Sequence, residues 1–404
     1  MNGGQQPRRS RYDGEAIPSF PWAALIALST VGFAIGSSEF VMMGLLPQIM
    51  AEFAISLPRA GHTISAYAIG VMVGAPTLAI FGTALPPRRL LIGLALLHFA
   101  GNLFACLADS ETALLAARFF AGLPHGAYFG AAAVMATSLV GQAGRGRAVG
   151  IVMLGLTFAM LLGTPAATWI GMNWGWRVAF AAICAVCLLG ASAIRLFIPS
   201  SPTISQPRAS NRLQHLTDGR LWLAALVVGT GFAGMFCVLS YIASLLTAVS
   251  GLFPAQIPLA LALYGLGAVC GTLIGSRAAD AHLFRAISGS LVYASIILAG
   301  FSIVATWLPG ALLATFLLGG IVAIGPGMQL WMMDLAGDAK TLGASLTHSA
   351  INFANALGAW MGGVALASGS GLSSLGWIGS LFGLTGLVLF LAIRKGGLRK
   401  STSR

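Results

Sequence analysis

Polar residues in this chain come in short clusters, and long, almost wholly apolar stretches run between them. A helix needs about 20 apolar residues to cross the hydrocarbon of a bilayer. Twelve stretches approach or exceed that length, approximately 22–46, 60–84, 90–107, 112–140, 148–172, 177–198, 221–247, 257–279, 286–306, 310–333, 341–367 and 373–393. The breaks carry Pro, Gly or charge, as in Pro86-Pro87-Arg88-Arg89, Gly144-Arg145-Gly146-Arg147, Asp280–Arg285 and Pro309-Gly310. The pattern predicts an all-α membrane protein with twelve transmembrane helices.

The longest polar connection lies halfway along. It spans 199–220, contains Ser, Pro, Asn, Gln and three Arg, and reads as a flexible linker. The pattern thus divides into a tail (1–21), a six-helix bundle (22–198), the linker, a second six-helix bundle (221–393) and a basic tail (394–404). Two six-span halves joined this way predict a parallel pseudo-repeat about an axis normal to the membrane. An internal echo agrees: the segment from Phe81-Gly82 to Arg89 after span 2 has its counterpart in Gly275–Asp280 after span 8.

Composition supports the membrane reading. Of 404 residues, 57% are hydrophobic and 8% charged, with mean hydropathy +0.88. Soluble domains carry about 25% charged residues, so this chain could not cover a soluble surface. A net charge of +12 would fit a nucleic-acid binder if the basic residues formed a patch interleaved with exposed aromatics. They sit in short loop clusters instead, so no nucleic-acid partner is expected. With the N-terminus inside, nineteen of the 22 Lys and Arg fall on the inner side and two, Arg59 and Arg177, on the outer. The positive-inside rule then places both termini in the cytoplasm. The N-terminal segment has no small-residue cleavage site and reads as a retained tail, not a signal peptide. The five cysteines fall within or at the edges of apolar runs, and Cys184-Ala-Val-Cys187 lacks a second pair, so they read as small apolar helix residues.

The remaining basic residue, Arg118, lies inside an apolar run, as does Glu39. A charge at bilayer depth costs at least about 2.5 kcal/mol, so it marks a partner or a pathway. Glu39 lies about seven residues from the outer end of span 1 and Arg118 about six from the outer end of span 4. At 1.5 Å per residue both sit ~10 Å below the outer surface. Equal depth permits an ion pair if both face the interior of the bundle.

Several short motifs fall in order on these spans. They are Ser38-Glu39-Phe40 with Gly44-Leu45-Leu46-Pro47, then Ala116-Ala117-Arg118 with Gly122 and Pro124-His125-Gly126. Gly155, Gly163 and Pro165 follow, with Gly175-Trp176-Arg177, and then the run Asn352–Ala359 with Gly362-Gly363. Together they resemble the major facilitator superfamily, and within it the 12-span drug:proton antiporters and their bacterial sugar-efflux-like branch. The resemblance covers the chain after Trp22. It departs in the loop between spans 2 and 3, where the family's Asp is replaced by Pro86, while the second-half copy keeps Asp280. The resemblance implies a multi-pass protein of the bacterial inner membrane, usually monomeric, moving a small molecule by alternating access.

Within that frame, Glu39 is expected to carry the coupling proton with Arg118 as its electrostatic regulator. The alternative is a static pair that fixes helix packing. His125, two turns from Arg118 on the same helix face, either relays protons or is a neutral histidine bonded to a neighbouring helix. Tyr128 shares that ambiguity. Met43, Tyr67, Tyr241, Tyr264, Asn352 and Asn355 are candidates to line the substrate cavity, each with packing as its alternative. Gly155, Gly163 and Pro165 are read as packing and bending residues of the antiporter motif. Arg88, Arg89 and Asp280 are read as the cytoplasmic gate loops. His98 and His348 are read as structural. No phosphate-binding loop, metal-ligand cluster or nucleophilic triad appears in the sequence, so no enzyme, no metal and no cofactor are expected, and energy would come from a proton gradient. The expected function is proton-coupled efflux of a small molecule, with chloramphenicol-like drugs as first candidates. A sugar or nucleoside exporter and an uncoupled facilitator are the alternatives.

Overall fold

In the computed structural model every apolar run forms helix through most of its described residues. The structure describes residues 20–55, 57–82, 85–200, 218–253 and 256–401, apart from several side chains within helices. Much of the expected N-terminal tail, most of the linker and the end of the basic tail lie outside the described residues. Among those described there is no strand.

The first half contains α1 (Trp22–Phe40), α2 (Met42–Phe53), α3 (Leu57–Phe81), α4 (Pro87–Cys106), α5 (Glu111–Ser138), α6 (Arg145–Phe158), α7 (Thr164–Trp174) and α8 (Trp176–Phe197). The second contains α9 (Gly219–Leu239), α10 (Ile242–Ala248), α11 (Ile257–Val304), α12 (Leu308–Gly319), α13 (Ile324–Leu335), α14 (Lys340–Ala367) and α15 (Ser374–Ser401). Among the described residues, eleven helical stretches are long and apolar enough to cross a membrane. One of them, α11, has 48 residues and a non-helical break at His282. At 1.5 Å per residue it would run about 72 Å, more than twice the hydrocarbon thickness. It therefore supplies two crossings that meet at the break, which gives the expected twelve. The final helix continues past residue 393 to Ser401, into the segment expected as a tail.

Local chemistry explains the helix ends. The Ser110 hydroxyl accepts from the Ala113 N–H at 3.3 Å and caps α5, and the Asp218 carboxylate accepts from the Arg220 N–H at 2.9 Å and caps α9. Pro begins α4, α11 and α12 where no intrahelical N–H is needed. Gly175, at φ 91°, turns the chain sharply between α7 and α8, in a region that L side chains avoid. Span 5 is α6 and α7 joined by a π-turn at Ala159–Gly163. Pro165 has no N–H to return to the preceding turn, and the Thr164 N–H and hydroxyl both reach the Ala159 carbonyl five residues back.

Helices of each half pack mainly on one another, and the halves meet through α3, α5 and α6 against α11, α13 and α14. Helix ends bearing Arg88, Arg145, Arg195, Arg285 and Lys340 share one end of the bundle, called here the basic end. Glu52, Arg59, Glu111 and Arg177 lie at the opposite end. There Arg59 pairs with Glu111. The Glu52 carboxylate accepts from the Trp176 indole N–H at 2.5 Å and from Arg177 at 2.6 Å.

Candidate functional site

The site lies where α1, α3 and α5 converge. Arg118 is fully buried. Its Nη1 donates to the Ser38 carbonyl at 2.7 Å and to the Ser38 hydroxyl at 3.1 Å, and its Nε donates to the Thr63 carbonyl at 3.4 Å. Its Cζ rests 4.4 Å from the centre of the Tyr67 ring, a cation–π contact. The Nη2 nitrogen has no hydrogen-bond partner. The Ser38 hydroxyl in turn donates to Asn102 Oδ1 at 2.7 Å, and the Asn102 amide donates to the His98 carbonyl at 2.8 Å. His98 Nδ1 lies 2.8 Å from the Ala121 carbonyl, which requires a proton on that nitrogen.

Glu39 neighbours Ser38, so the expected shared level of Glu39 and Arg118 holds. Their direct ion pair does not form. The Arg118 guanidinium is taken up by backbone carbonyls, the Ser38 hydroxyl and an aromatic face. An ionisable neighbour of Glu39 is His125, whose Nδ1 is 4.0 Å from Glu39 Oε2. The Tyr67 hydroxyl is 3.1 Å from the same His125 nitrogen. Tyr67 therefore touches Arg118 through its ring and His125 through its hydroxyl. Glu39 keeps a 15% exposed side chain while His125 is buried.

His125 also begins a polar layer that crosses between the halves. Its ring centre is 5.3 Å from that of His348 on α14. His348 stacks on Phe129 at 4.5 Å, and Gln329 on α13 donates to the Phe129 carbonyl at 3.3 Å. His348 Nε2 and Gln329 Oε1 are buried without a partner. Buried polar atoms left without a partner cost free energy. Gln329, Ser38, Thr63 and Asn102 were not singled out from the sequence, and His348 was read as structural. Ser38 was marked only by its place beside Glu39. Gln329 and Asn102 stand among apolar neighbours, whereas Thr63 lies beside His62 and near Ser65, and His348 lies between Thr347 and Ser349.

The remaining candidates divide. Tyr128 donates to the Leu28 carbonyl at 2.9 Å and is fully buried against α1, within the first half. That bond makes it a packing residue and turns it away from the seam. Tyr241 donates to the Ala359 carbonyl at 2.9 Å, joining the break between α9 and α10 to α14. Tyr264 is buried with its hydroxyl 3.4 Å from Met235 Sδ. The Asn352 amide donates back to the His348 carbonyl at 3.1 Å, and Asn355 is half-buried. The Met43 side chain lies outside the described residues. Gly155 and Gly163 let span 5 lie against α1: a Cβ at 155 would be 2.8 Å from the Phe33 nitrogen, and one at 163 would be 3.2 Å from the Phe33 ring. The tight seam is thus inside the first half.

At the basic end the three expected gate residues are not brought together. Arg88 donates to the Ser200 hydroxyl at 2.6 Å and to the Arg195 carbonyl, tying α4 to α8. Arg89 is exposed. Asp280 instead crosses the seam. Its carboxylate accepts from the backbone N–H groups of Gly146 and, at 2.8 Å, of Arg147, at the positive N-terminus of α6. Arg145 adds a second link, 2.7 Å from Asp334 of α13. Together with the Gln329 bond, these are the cross-seam hydrogen bonds and ion pairs found among the described residues. The halves are latched at the basic end. Among the described residues no group of three His, Cys, Asp or Glu could hold a metal.

The profile of the Major Facilitator Superfamily matches residues 28–337. The inner membrane transport protein YdhP of Escherichia coli K12 is 33% identical over 92% of this chain and 96% of its own length. A chloramphenicol resistance protein of Streptomyces lividans is 28% identical over 92% of this chain and 96% of its own. The solved structure of the proton:xylose symporter XylE bound to 6-bromo-6-deoxy-D-glucose superposes with TM-score 0.75 at 17% identity, covering 93% of this chain and 96% of that one. The match in sequence and the twelve-crossing architecture agree: the chain belongs to the Major Facilitator Superfamily and is a membrane transporter, not an enzyme.

Proposed function

We propose that the protein is a proton-coupled exporter of the bacterial inner membrane that binds a small, weakly charged molecule between its halves. It expels that molecule by alternating access, in exchange for an inward proton. The observation that carries this reading is Glu39. Its carboxyl group is set deep in a span and keeps a small exposed surface. Arg118 beside it is spent on backbone carbonyls and a hydroxyl. A carboxyl group without a fixed ion-pair partner is suited to take up and release a proton as the halves rock. Tyr67 and His125 form its polar surroundings.

The energy scale is sufficient. One charge falling through 100 mV releases about 2.3 kcal/mol, enough for about 50-fold accumulation of a neutral solute at one proton per molecule. No cofactor is needed. The 19-to-2 division of loop Lys and Arg supports cytoplasmic termini and a cytoplasmic basic end. The polar atoms at the seam are amide and imidazole groups, which suit a ligand with hydroxyl, amide or nitro groups over a strongly ionic one. Similarity to a chloramphenicol resistance protein puts chloramphenicol-like amphenicols first among substrates, and the chain is expected to work as a monomer.

The test is transport in proteoliposomes under an imposed pH gradient, with amphenicols, sugars and nucleosides as the panel. Glu39→Gln should abolish gradient-driven accumulation while leaving exchange of labelled for unlabelled substrate in place. Full gradient-driven transport by that variant would remove Glu39 as the carrier, and an unmoved wild type would remove the coupling altogether.

A further inference from the structure

A cavity of about 730 Å³ opens at the basic end between the start of α4 and the end of α8, lined by Arg88, Arg89, Arg195, Ser200, Ile92 and Leu96 among others. Among the described residues no carboxylate lines it. Neither Arg89 nor Arg195 forms an ion pair with a described carboxylate, and both are exposed. Arg88 is fixed in place by its bonds to Ser200 and the Arg195 carbonyl. Three cations thus converge with no anion among the described residues.

The position says what kind of anion belongs there. Leu96 lies seven residues beyond Arg89 along α4, about 10 Å deeper into the membrane, and is 45% exposed. Leu196 and Phe197 on α8 are exposed at the same end. The groove is therefore cationic at headgroup level and apolar below it. The main contacts across the seam come from α3, α5 and α6, not from α4 or α8, so the groove faces outward and is separate from the Glu39 site. Basic pockets between membrane helices of this kind hold lipid headgroups.

We infer that this groove is a binding site for one anionic phospholipid, its phosphate on Arg88, Arg89 and Arg195 and an acyl chain along Ile92 and Leu96. A net-negative headgroup is favoured because a zwitterionic one would bring an ammonium among three guanidinium groups. The lipid would join α4 to α8, the two helices that the Arg88 bonds already tie.

Native mass spectrometry of the full-length protein in a neutral detergent tests this, using phosphatidylglycerol and phosphatidylcholine of identical chains in equal amounts. Phosphatidylglycerol should be retained and phosphatidylcholine lost on activation. Arg89→Gln and Arg195→Gln should each weaken phosphatidylglycerol retention about fivefold and together about 25-fold, whereas Arg285→Gln at the same end should not. Equal retention of the two lipids, or unchanged retention in the single variants, overturns the site. Displacement of phosphatidylglycerol by millimolar inorganic phosphate, with phosphate itself retained, overturns the lipid in favour of a soluble anion. Should the double variant fail to elute as a single species, the two single variants decide.

Discussion

Glu52 shows how a single side chain sets a pH response away from the transport path. Its partial burial pushes the carboxyl group up, but bonds from the Trp176 indole and the Arg177 guanidinium together outweigh burial and hold it below its ordinary value of 4.5. A lowered carboxyl in the folded state adds stability that is complete above the ordinary value and is lost as pH falls through the folded one. The pair is exposed on both sides, so the effect is bounded at about 1 kcal/mol. Thermal melts from pH 7 down to pH 3 should therefore fall less steeply for Glu52→Gln than for wild type, the two curves converging in acid. Parallel curves would show that the contact contributes nothing. At this scale the sequence was a good guide to position and a poor one to pairing. Glu39 and Arg118 stood out because charge is rare in apolar runs, and the structure does bring them to one level. Which partner each takes depends on rotamers. Arg118 finds two carbonyls and a ring, while Glu39 faces His125, and no spacing rule encodes that choice. Gln329 and His348 were illegible for a related reason: a polar residue in a span looks alike whether it faces lipid, a helix or the seam.

Between α6 and α11 the fit is so close that a methyl group decides the geometry. A Cβ at Gly150 would lie 2.7 Å from Ser276 Oγ and nearer still to the Ser276 Cβ. At Gly146 it would lie 2.8 Å from Asp280 Oδ1. The Ser276 Cβ cannot swing aside as a long side chain would, so Gly150→Ala must push the two helices apart. The expected result is a longer distance between spin labels at the exposed positions Arg147 and Arg277, measured by pulsed electron resonance in a cysteine-depleted background. Gly155→Ala, which presses on α1 inside the same half, should leave that distance unchanged. An unaltered distance in Gly150→Ala would mean that the halves give elsewhere. The elements themselves were largely legible: apolar length fixed all twelve crossings, and Pro and Gly marked their ends. The break at His282 falls inside one continuous helical stretch, and a π-turn interrupts span 5 before Pro165. Each reflects backbone hydrogen bonding, which a hydropathy pattern does not carry.

Across the whole molecule, the latch at the basic end sets which state the transporter rests in. Among the described residues two links cross there, and their chemistry ranks them. Asp280 is one carboxylate accepting two backbone N–H groups at the start of α6, where the helix dipole adds to the attraction. Arg145 and Asp334 are an ion pair with side chains 22% and 43% exposed, and such pairs contribute about 1 kcal/mol or less. An amide at 280 keeps a single acceptor oxygen and no charge, so Asp280→Asn removes at least one charge-assisted bond, about 1.5–3 kcal/mol. If both bonds break when the basic end opens, the ratio of open to closed molecules should rise about 10- to 150-fold. Arg145→Gln should raise it about fivefold or less. The same label pair reads both as the fraction of molecules at the longer distance. In the proposed cycle, substrate enters from the cytoplasm while the basic end is open and leaves after it has closed. Asp280→Asn should therefore load substrate readily and complete export slowly. If its distance distribution matched wild type while that of Arg145→Gln opened, the ion pair would be the latch and the helix cap an incidental contact.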